Sequence, residues 1–235
     1  MKRIAVKVGS NVLTRPDGTL DVTRMSAIVD QLAALHKRGM EVILVSSGAV
    51  ASGRSEIKMN HTLDEVSSRQ LYSAIGQAKL MGKYYTMFRE HSIICGQVLT
   101  TKEGLDKADH YSNQQNCMEV MLKERVIPII NENDTLSITE LMFTDNDELS
   151  GIMAEMMGVD LLILLEQGKL VIGIYHILPH VVKDHQQAGN AAGICHGLLI
   201  GGKLGINDPL IVGSHVVKVG ADQVIVRVGN IIHAV

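Results

Sequence analysis

The 235-residue sequence predicts an α/β fold with a mainly parallel central sheet. Three observations carry this expectation. β-Branched runs at residues 3–7 and 41–45 flank a segment in which Met25, Ile28, Val29, Leu32 and Leu35 recur at spacings of three and four, the period of an amphipathic helix. Strand, helix and strand of these lengths form a βαβ unit, which implies parallel strands joined by crossovers of one hand. Three strand-like segments then run into small or acid-amide loops, and open parallel sheets collect ligands where their strands end.

The first strand begins at Arg3 and ends in Lys7-Val8-Gly9-Ser10-Asn11. A lysine followed by a glycine and a serine can grip phosphate. The glycine allows close backbone approach and unusual φ, backbone N–H groups meet anionic oxygens, and the ammonium adds a point charge. An edge lysine before an ordinary turn reads the same way locally, so later segments must decide. Arg15-Pro16-Asp17-Gly18 signals a turn or hairpin; the first helix follows, with Asp21 or Thr23 as cap and Gly39 closing it. The second strand enters Ser46-Ser47-Gly48-Ala49-Val50-Ala51-Ser52-Gly53, where small side chains let a ligand approach backbone.

A long helix is expected over 66–90, with Leu71, Ile75, Ala78, Leu80, Met81, Tyr84, Met87 and Phe88 as its apolar positions. A strand over 93–99, a polar loop over 100–109, a helix over 110–124 and a strand over 126–130 follow. That last strand empties into Asn131-Glu132-Asn133-Asp134-Thr135. A second cluster, Thr144-Asp145-Asn146-Asp147-Glu148, opens a helix over 149–157, and 161–165 is a further strand.

Composition removes several function classes. With 46% hydrophobic residues and a net charge of −3, nothing favours nucleic acid or an anionic membrane as partner. Cys95, Cys117 and Cys195 are odd in number and far apart, so neither a disulfide framework nor a zinc site is indicated, and a reducing cytoplasm is the expected location. Lys7 interrupts the apolar start, which therefore reads as a strand and not a signal peptide, and no run reaches the roughly 20 apolar residues of a membrane span.

No Ser-His-Asp arrangement and no H-E-x-x-H occur. Acid-amide clusters suit a polar substrate bearing an ammonium, and lysine with glycine-rich turns suits phosphate. Together they point to phosphoryl transfer onto a small amino-bearing acceptor. A carboxylate acceptor, with a pKa near about 4, needs no base, and Asp147 is placed to orient Lys7 by an ion pair. Mg²⁺ is expected on the nucleotide phosphates, with no metal-ligating residues assigned.

Val6-Lys7-Val8-Gly9-Ser10, Val45-Ser46-Ser47-Gly48-Ala49, Gly76-Gln77, Gly96-Gln97, Pro128 to Asp134 and Asp145-Asn146-Asp147 together resemble the glutamate 5-kinases of the amino acid kinase superfamily, continuously from about residue 3 to residue 165. The resemblance implies a three-layer α/β/α sandwich and ATP-dependent phosphorylation of the γ-carboxylate of L-glutamate, the first step of proline synthesis. It also implies feedback inhibition by proline and a homo-oligomer, tetramer or dimer. By resemblance, Lys7 contacts the phosphoryl group and Asp147 holds it, while Ser47, Asp134 and Asn146 bind glutamate with Gly48 and Asn131 in the same loops. Gly9 and Ser10 fall on the nucleotide side.

Residues 166–235 read differently, with nine charged residues against 38 in the first 165. Glu166-Gln167 stands where the family has a Thr-Asp or Ser-Asn pair, and Gly201-Gly202-Lys203 resembles the family's Gly-Gly-Met-x-Thr-Lys with its lysine three places early. Gly201, Gly202 and Lys203 are therefore the expected nucleotide contacts, and Lys203 the second cation. Gly197 to Lys203 also fits the start of a P-loop, but Leu204 replaces the Ser or Thr that would bind Mg²⁺, and His176, His180 and His185 match no familiar metal spacing. The expected organisation is one amino acid kinase domain over 1–235, with a glutamate-binding lobe at 1–165, a divergent nucleotide-binding portion at 166–235, and no PUA domain. Two alternatives stay open: a catalytically weak or inactive relative that binds glutamate or proline, and a tail altered by a sequencing or frameshift artefact.

Overall fold

Alternation along the first strand, β1 (Arg3–Val8), sends Ile4, Val6 and Val8 to one face of a sheet and Ala5 and Lys7 to the other. The computed structural model describes residues 2–57, 59–136 and 146–166, and beyond them the strand segments at 169–173, 210–212, 215–218 and 227–228. After β1 come α1 (Ser10–Leu13), α2 (Val22–Lys37), β2 (Glu41–Ser46), α3 (Ala49–Arg54), α4 (Glu65–Glu90) and β3 (Cys95–Thr100). Then follow α5 (Lys102–Asp106), α6 (Ala108–Lys123), β4 (Ile127–Glu132), α7 (Asn146–Met156), β5 (Leu161–Glu166) and β6 (Lys169–Gly173). The strand order is β3-β4-β2-β1-β5-β6, with the first five parallel and β6 antiparallel to β5. The segments β7 (Leu210–Val212), β8 (His215–Lys218) and β9 (Arg227–Val228) make a separate three-stranded antiparallel sheet.

Helices cover both faces of the main sheet. Leu13 of α1, Met25, Val29 and Leu32 of α2, and Leu80, Tyr84 and Phe88 of α4 pack with Ile4, Val42, Leu44 and Ile129 on one side. On the other, Leu105 of α5, Met118 and Leu122 of α6, and Leu149 and Met153 of α7 pack with Ala5, Ile43, Val45, Ile130 and Leu162. The steps β1 to β2 to β3 cross the first face, and the return steps to β4 and β5 cross the second, as crossovers of one hand require. This is the expected three-layer α/β/α sandwich. The ends of β1, β2 and β4 consequently lie side by side.

Local signals explain most boundaries. Asp21 caps α2 by accepting from the Arg24 N–H at 3.1 Å, Gly39 follows the helix at φ +90°, and Thr14 bridges Leu20 across the turn at Gly18. The segment after β3 departs from the expected loop. Thr101 Oγ1 accepts from the Gly104 N–H at 3.0 Å and Leu105 is buried, so one capped turn, α5, forms before α6. Among the described residues, no helix is long and apolar enough to cross a membrane.

The first half of α4 also differs from its apolar pattern. Ser73, Gly76 and Gln77 are buried there, and apolar burial takes over only from Leu80 onward. Glycines cause this. A Cβ on Gly76 would lie 1.8 Å from the Ala49 carbonyl oxygen, and one on Gly53 would lie 1.8 Å from that of Tyr72. The backbones of α3 and α4 therefore touch directly.

At the opposite end of β1, Arg3 donates to Glu41 at 2.7 Å and to Glu119 at 2.6 and 3.0 Å, while Asp160 accepts the Lys2 and Arg3 backbone N–H groups at 2.5 and 2.9 Å. Those backbone donors hold the Asp160 carboxyl below its ordinary value.

Gly76→Ala should destabilise the fold by about 3 kcal/mol, because rigid backbone stands in the way of the new carbon. Gly82→Ala, on the exposed side of α4 with nothing near its Cβ, should instead gain about 0.5–1 kcal/mol. Urea unfolding separates the two, and equal midpoints would contradict the backbone contact. Since the folded pKa of Asp160 lies below its unfolded value, its stabilisation is present above the unfolded value and is lost as pH falls through the folded one. Asp160→Asn should accordingly lower stability at neutral pH and flatten the acid limb of a stability-against-pH curve.

Candidate active site

Lys7 is the last residue but one of β1, opposite Val45 of β2 and Leu164 of β5, and its side chain is 5% exposed. Its ammonium pairs with Asp147 in the first turn of α7. The strand direction explains the match, because Lys7 faces the layer that α7 covers. Helix α7 starts three residues earlier than its apolar pattern suggested, which puts Asn146 and Asp147 on the helix instead of in a loop. Acids in a first turn are favoured by the helix dipole, and here one of them also meets a buried cation.

Beside this pair runs a chain of amides. Asn146 Nδ2 donates to Ser47 Oγ at 2.6 Å and to Asn131 Oδ1 at 3.2 Å, and Asn131 Nδ2 donates to Gln77 Oε1 at 2.9 Å. Each bond fixes the amide orientation of the next residue. Because Ser47 Oγ accepts from Asn146, its O–H is left to donate into the cavity. Asn131 and Glu132 belong to β4 and are buried, so the expected acid-amide loop is half strand.

Asp134 is held from α4. Arg69 Nε donates to its Oδ1 at 2.6 Å, Ser73 Oγ donates to its Oδ2 at 2.8 Å, and Arg69 Nη2 reaches Glu132 Oε2 at 3.0 Å. A cavity of about 230 Å³ opens among Ser10, Ser47, Gly48, Ala49, Val50, Ala51, Arg69, Asn131, Glu132, Asp134 and Asn146. Gly48 stands at φ +100° where β2 turns into α3, a conformation costly for a residue with a Cβ. Gly9, in contrast, has an ordinary φ of −68° as the residue preceding α1, so its value is close approach and not unusual backbone. Its N–H bonds the Leu165 carbonyl at 3.0 Å.

Of the residues expected from sequence, Ser10, Ser47, Gly48, Asn131, Asp134 and Asn146 thus converge on one cavity, with Lys7, Gly9 and Asp147 adjoining. Gly201, Gly202 and Lys203 lie outside the described residues. Arg69 and Ser73 were missed and Gln77 was noted only within Gly76-Gln77 with no role, although their spacing of four along α4 is a polar stripe visible in the sequence.

The amino acid kinase family model matches residues 2–189. The chain belongs to the amino acid kinase family. Within this family it is 65% identical over 177 residues to the glutamate 5-kinase of Bacteroides thetaiotaomicron, covering 75% of the chain and 48% of that relative. The glutamate 5-kinase of Symbiobacterium thermophilum is 43% identical over 180 residues, covering 77% of the chain and 68% of the relative. That of Desulfitobacterium hafniense is 34% identical over 229 residues, 97% of the chain and 61% of the relative. The chain spans about half the length of several of the curated relatives it matches. The family model's span of residues 2–189 includes every residue that lines the cavity.

Gln77→Leu removes the acceptor of Asn131 Nδ2 and leaves a buried amide unpaired. It should cost about 1–3 kcal/mol in urea unfolding. A variant as stable as the parent would show that Gln77 does not hold the amide chain.

Proposed function

We propose that the protein transfers the γ-phosphoryl group of ATP to the γ-carboxylate of L-glutamate, giving L-glutamyl 5-phosphate. The observation that carries this reading is the Lys7–Asp147 ion pair set beside the Ser47–Asn146–Asn131 amide chain. Similarity to glutamate 5-kinases, one of them aligned over 97% of the chain, supports it.

An ionised carboxylate is already a nucleophile at neutral pH, so the enzyme's task is positioning and charge stabilisation. In this mechanism Lys7 presents a fixed cation to the transferring phosphoryl group, and Asp147 keeps its ammonium aimed. Ser47 and Asn146 orient the acceptor, with Gly48 and Asn131 shaping its bed, and Asp134 receives the acceptor's ammonium. Gly9 and Ser10 offer close backbone approach on the phosphate side. Gly201, Gly202 and Lys203 are the nucleotide contacts of the reading, with Lys203 as second cation. Mg²⁺ would enter on the nucleotide phosphates and supply charge neutralisation when bound; among the described residues no cluster of three or more His, Cys, Asp or Glu side chains gathers to hold it.

The reading includes a single amino acid kinase domain, with residues 1–165 as the glutamate lobe and 166–235 as the nucleotide portion. The reaction is the first step of proline synthesis in the cytoplasm, carried out by a homo-oligomer, dimer or tetramer, with proline as inhibitor. The family resemblance supports each of these.

The full chain should release ADP from MgATP only when L-glutamate is present. Lys7→Ala should lower kcat by roughly 10²–10³-fold, the scale of losing one fixed charge at a transition state, while L-glutamate still raises the melting temperature of the variant. Undiminished turnover in Lys7→Ala would remove the lysine from the mechanism. Stabilisation by L-glutamate without ADP release from the parent chain would replace the enzyme reading with a binding one.

A further inference from the structure

Arg69 is the one cationic side chain among the described residues that line the cavity. It serves two carboxylates at once, through Nε to Asp134 and through Nη2 to Glu132, and both acids are nearly buried, at 6% and 4% exposure. A guanidinium has two edges. The bonds to Asp134 and Glu132 use the side edge, Nε with one Nη2 proton, and leave the end edge, Nη1 with the other Nη2 proton, as a planar two-donor fork. Among the described residues no acceptor meets that fork, and Arg69 is 37% exposed at the cavity wall.

We propose that Arg69 is a specificity-determining residue, and that its end-on fork takes a second carboxylate of the acceptor, the one that does not react. The inference rests on the acceptor reading given above and names what that reading leaves unassigned. Two acids and one guanidinium share this end of the cavity, so an acceptor's ammonium meets the acids and the carboxylate beside it meets the guanidinium. Among the described side chains that line the cavity, the guanidinium is the one cation that can meet such an acceptor's remaining carboxylate, beside the backbone of Gly48 to Ala51. A bidentate guanidinium–carboxylate pair is planar and demanding in geometry, so it selects acceptors that carry a carboxylate next to the ammonium. A lysine at 69 would preserve the charge but has no fork with which to serve three carboxylates.

The test compares L-glutamate with its α-amide, which keeps the ammonium and the reacting carboxylate but removes the second negative charge. The parent chain and Arg69→Lys are each assayed for kcat and KM with both acceptors, and for the melting-temperature shift that each acceptor causes without nucleotide. The parent should prefer L-glutamate by tenfold or more, the scale of a hydrogen bond to a charged group. Arg69→Lys should lose most of that preference through a higher KM for L-glutamate, with a clearly smaller loss of kcat/KM for the α-amide. A merely structural arginine predicts equal losses for both acceptors, and that result would overturn the proposal. So would an unchanged preference. If the parent releases no ADP with either acceptor, the kinase reading fails by itself. The melting shifts then decide: a shift specific to L-glutamate in the parent that disappears in Arg69→Lys sustains the fork, and equal shifts for the two compounds refute it. Arg69→Met, which also strips the buried acids of their partner, distinguishes the two roles, since its melting temperature should fall well below that of Arg69→Lys.

Discussion

Direct backbone contact between α3 and α4 sets the depth of everything around the cavity. Gly53 and Gly76 meet where any Cβ would strike a carbonyl oxygen, so α4 lies closer to α3 than ridge-and-groove packing of side chains allows. That depth brings Arg69, Ser73 and Gln77, successive positions on one helical stripe, within hydrogen-bond reach of Asn131, Glu132 and Asp134. The far half of the same helix is anchored conventionally. Tyr84 and Phe88 are fully buried, each contributing on the order of 1.5–3 kcal/mol of apolar burial, and the Tyr84 hydroxyl bonds Ser46 at 2.9 Å. Burial pushes that phenol above its ordinary titration range. One helix therefore combines an apolar anchor with a polar working end.

The sheet provides the complementary constraint. Pairing of β1 between β2 and β5 fixes which way Lys7 points, and a one-residue slip would turn its ammonium into the α2 and α4 layer. In the observed register it faces the α7 layer, whose first turn carries Asp147. A buried ammonium needs such a partner, because a charge removed from water without one is costly. Asn146, one residue earlier, joins the chain of amides to Ser47 and Asn131. The cationic and amide parts of the site thus share one helical turn.

Much of this was legible in the sequence. The 3.6-residue period of α2, the βαβ order and the small-residue ends of β1, β2 and β4 specify a parallel sheet with one crevice, because alternation and amphipathicity are local consequences of burial. Lys7, Ser47 and the two acid-amide clusters stood out as polar residues beside strand and helix ends, and the resemblance to glutamate 5-kinases assigned the roles of Lys7, Ser47, Asp134, Asn146 and Asp147. Boundaries went astray where hydrogen bonds, within one turn or from another helix, overrode the pattern. Thr101 capped a turn that polar composition disguised as loop, and Asn131 and Glu132 stayed in β4 because their polar groups found partners on α4.

Sequence alone determined the parallel sheet and its helices through periodicities of two and 3.6, and the family resemblance pointed to most of the residues at the crevice. Only the tertiary structure decided how those residues share their hydrogen bonds. That Arg69 answers both Glu132 and Asp134, or that Gln77 orients Asn131, depends on contacts more than 50 positions apart along the chain and on two glycines meeting between helices. Such pairings are set by how closely two backbones approach. A glycine's φ or a polar stripe permits that approach, and only the packed layers enforce it.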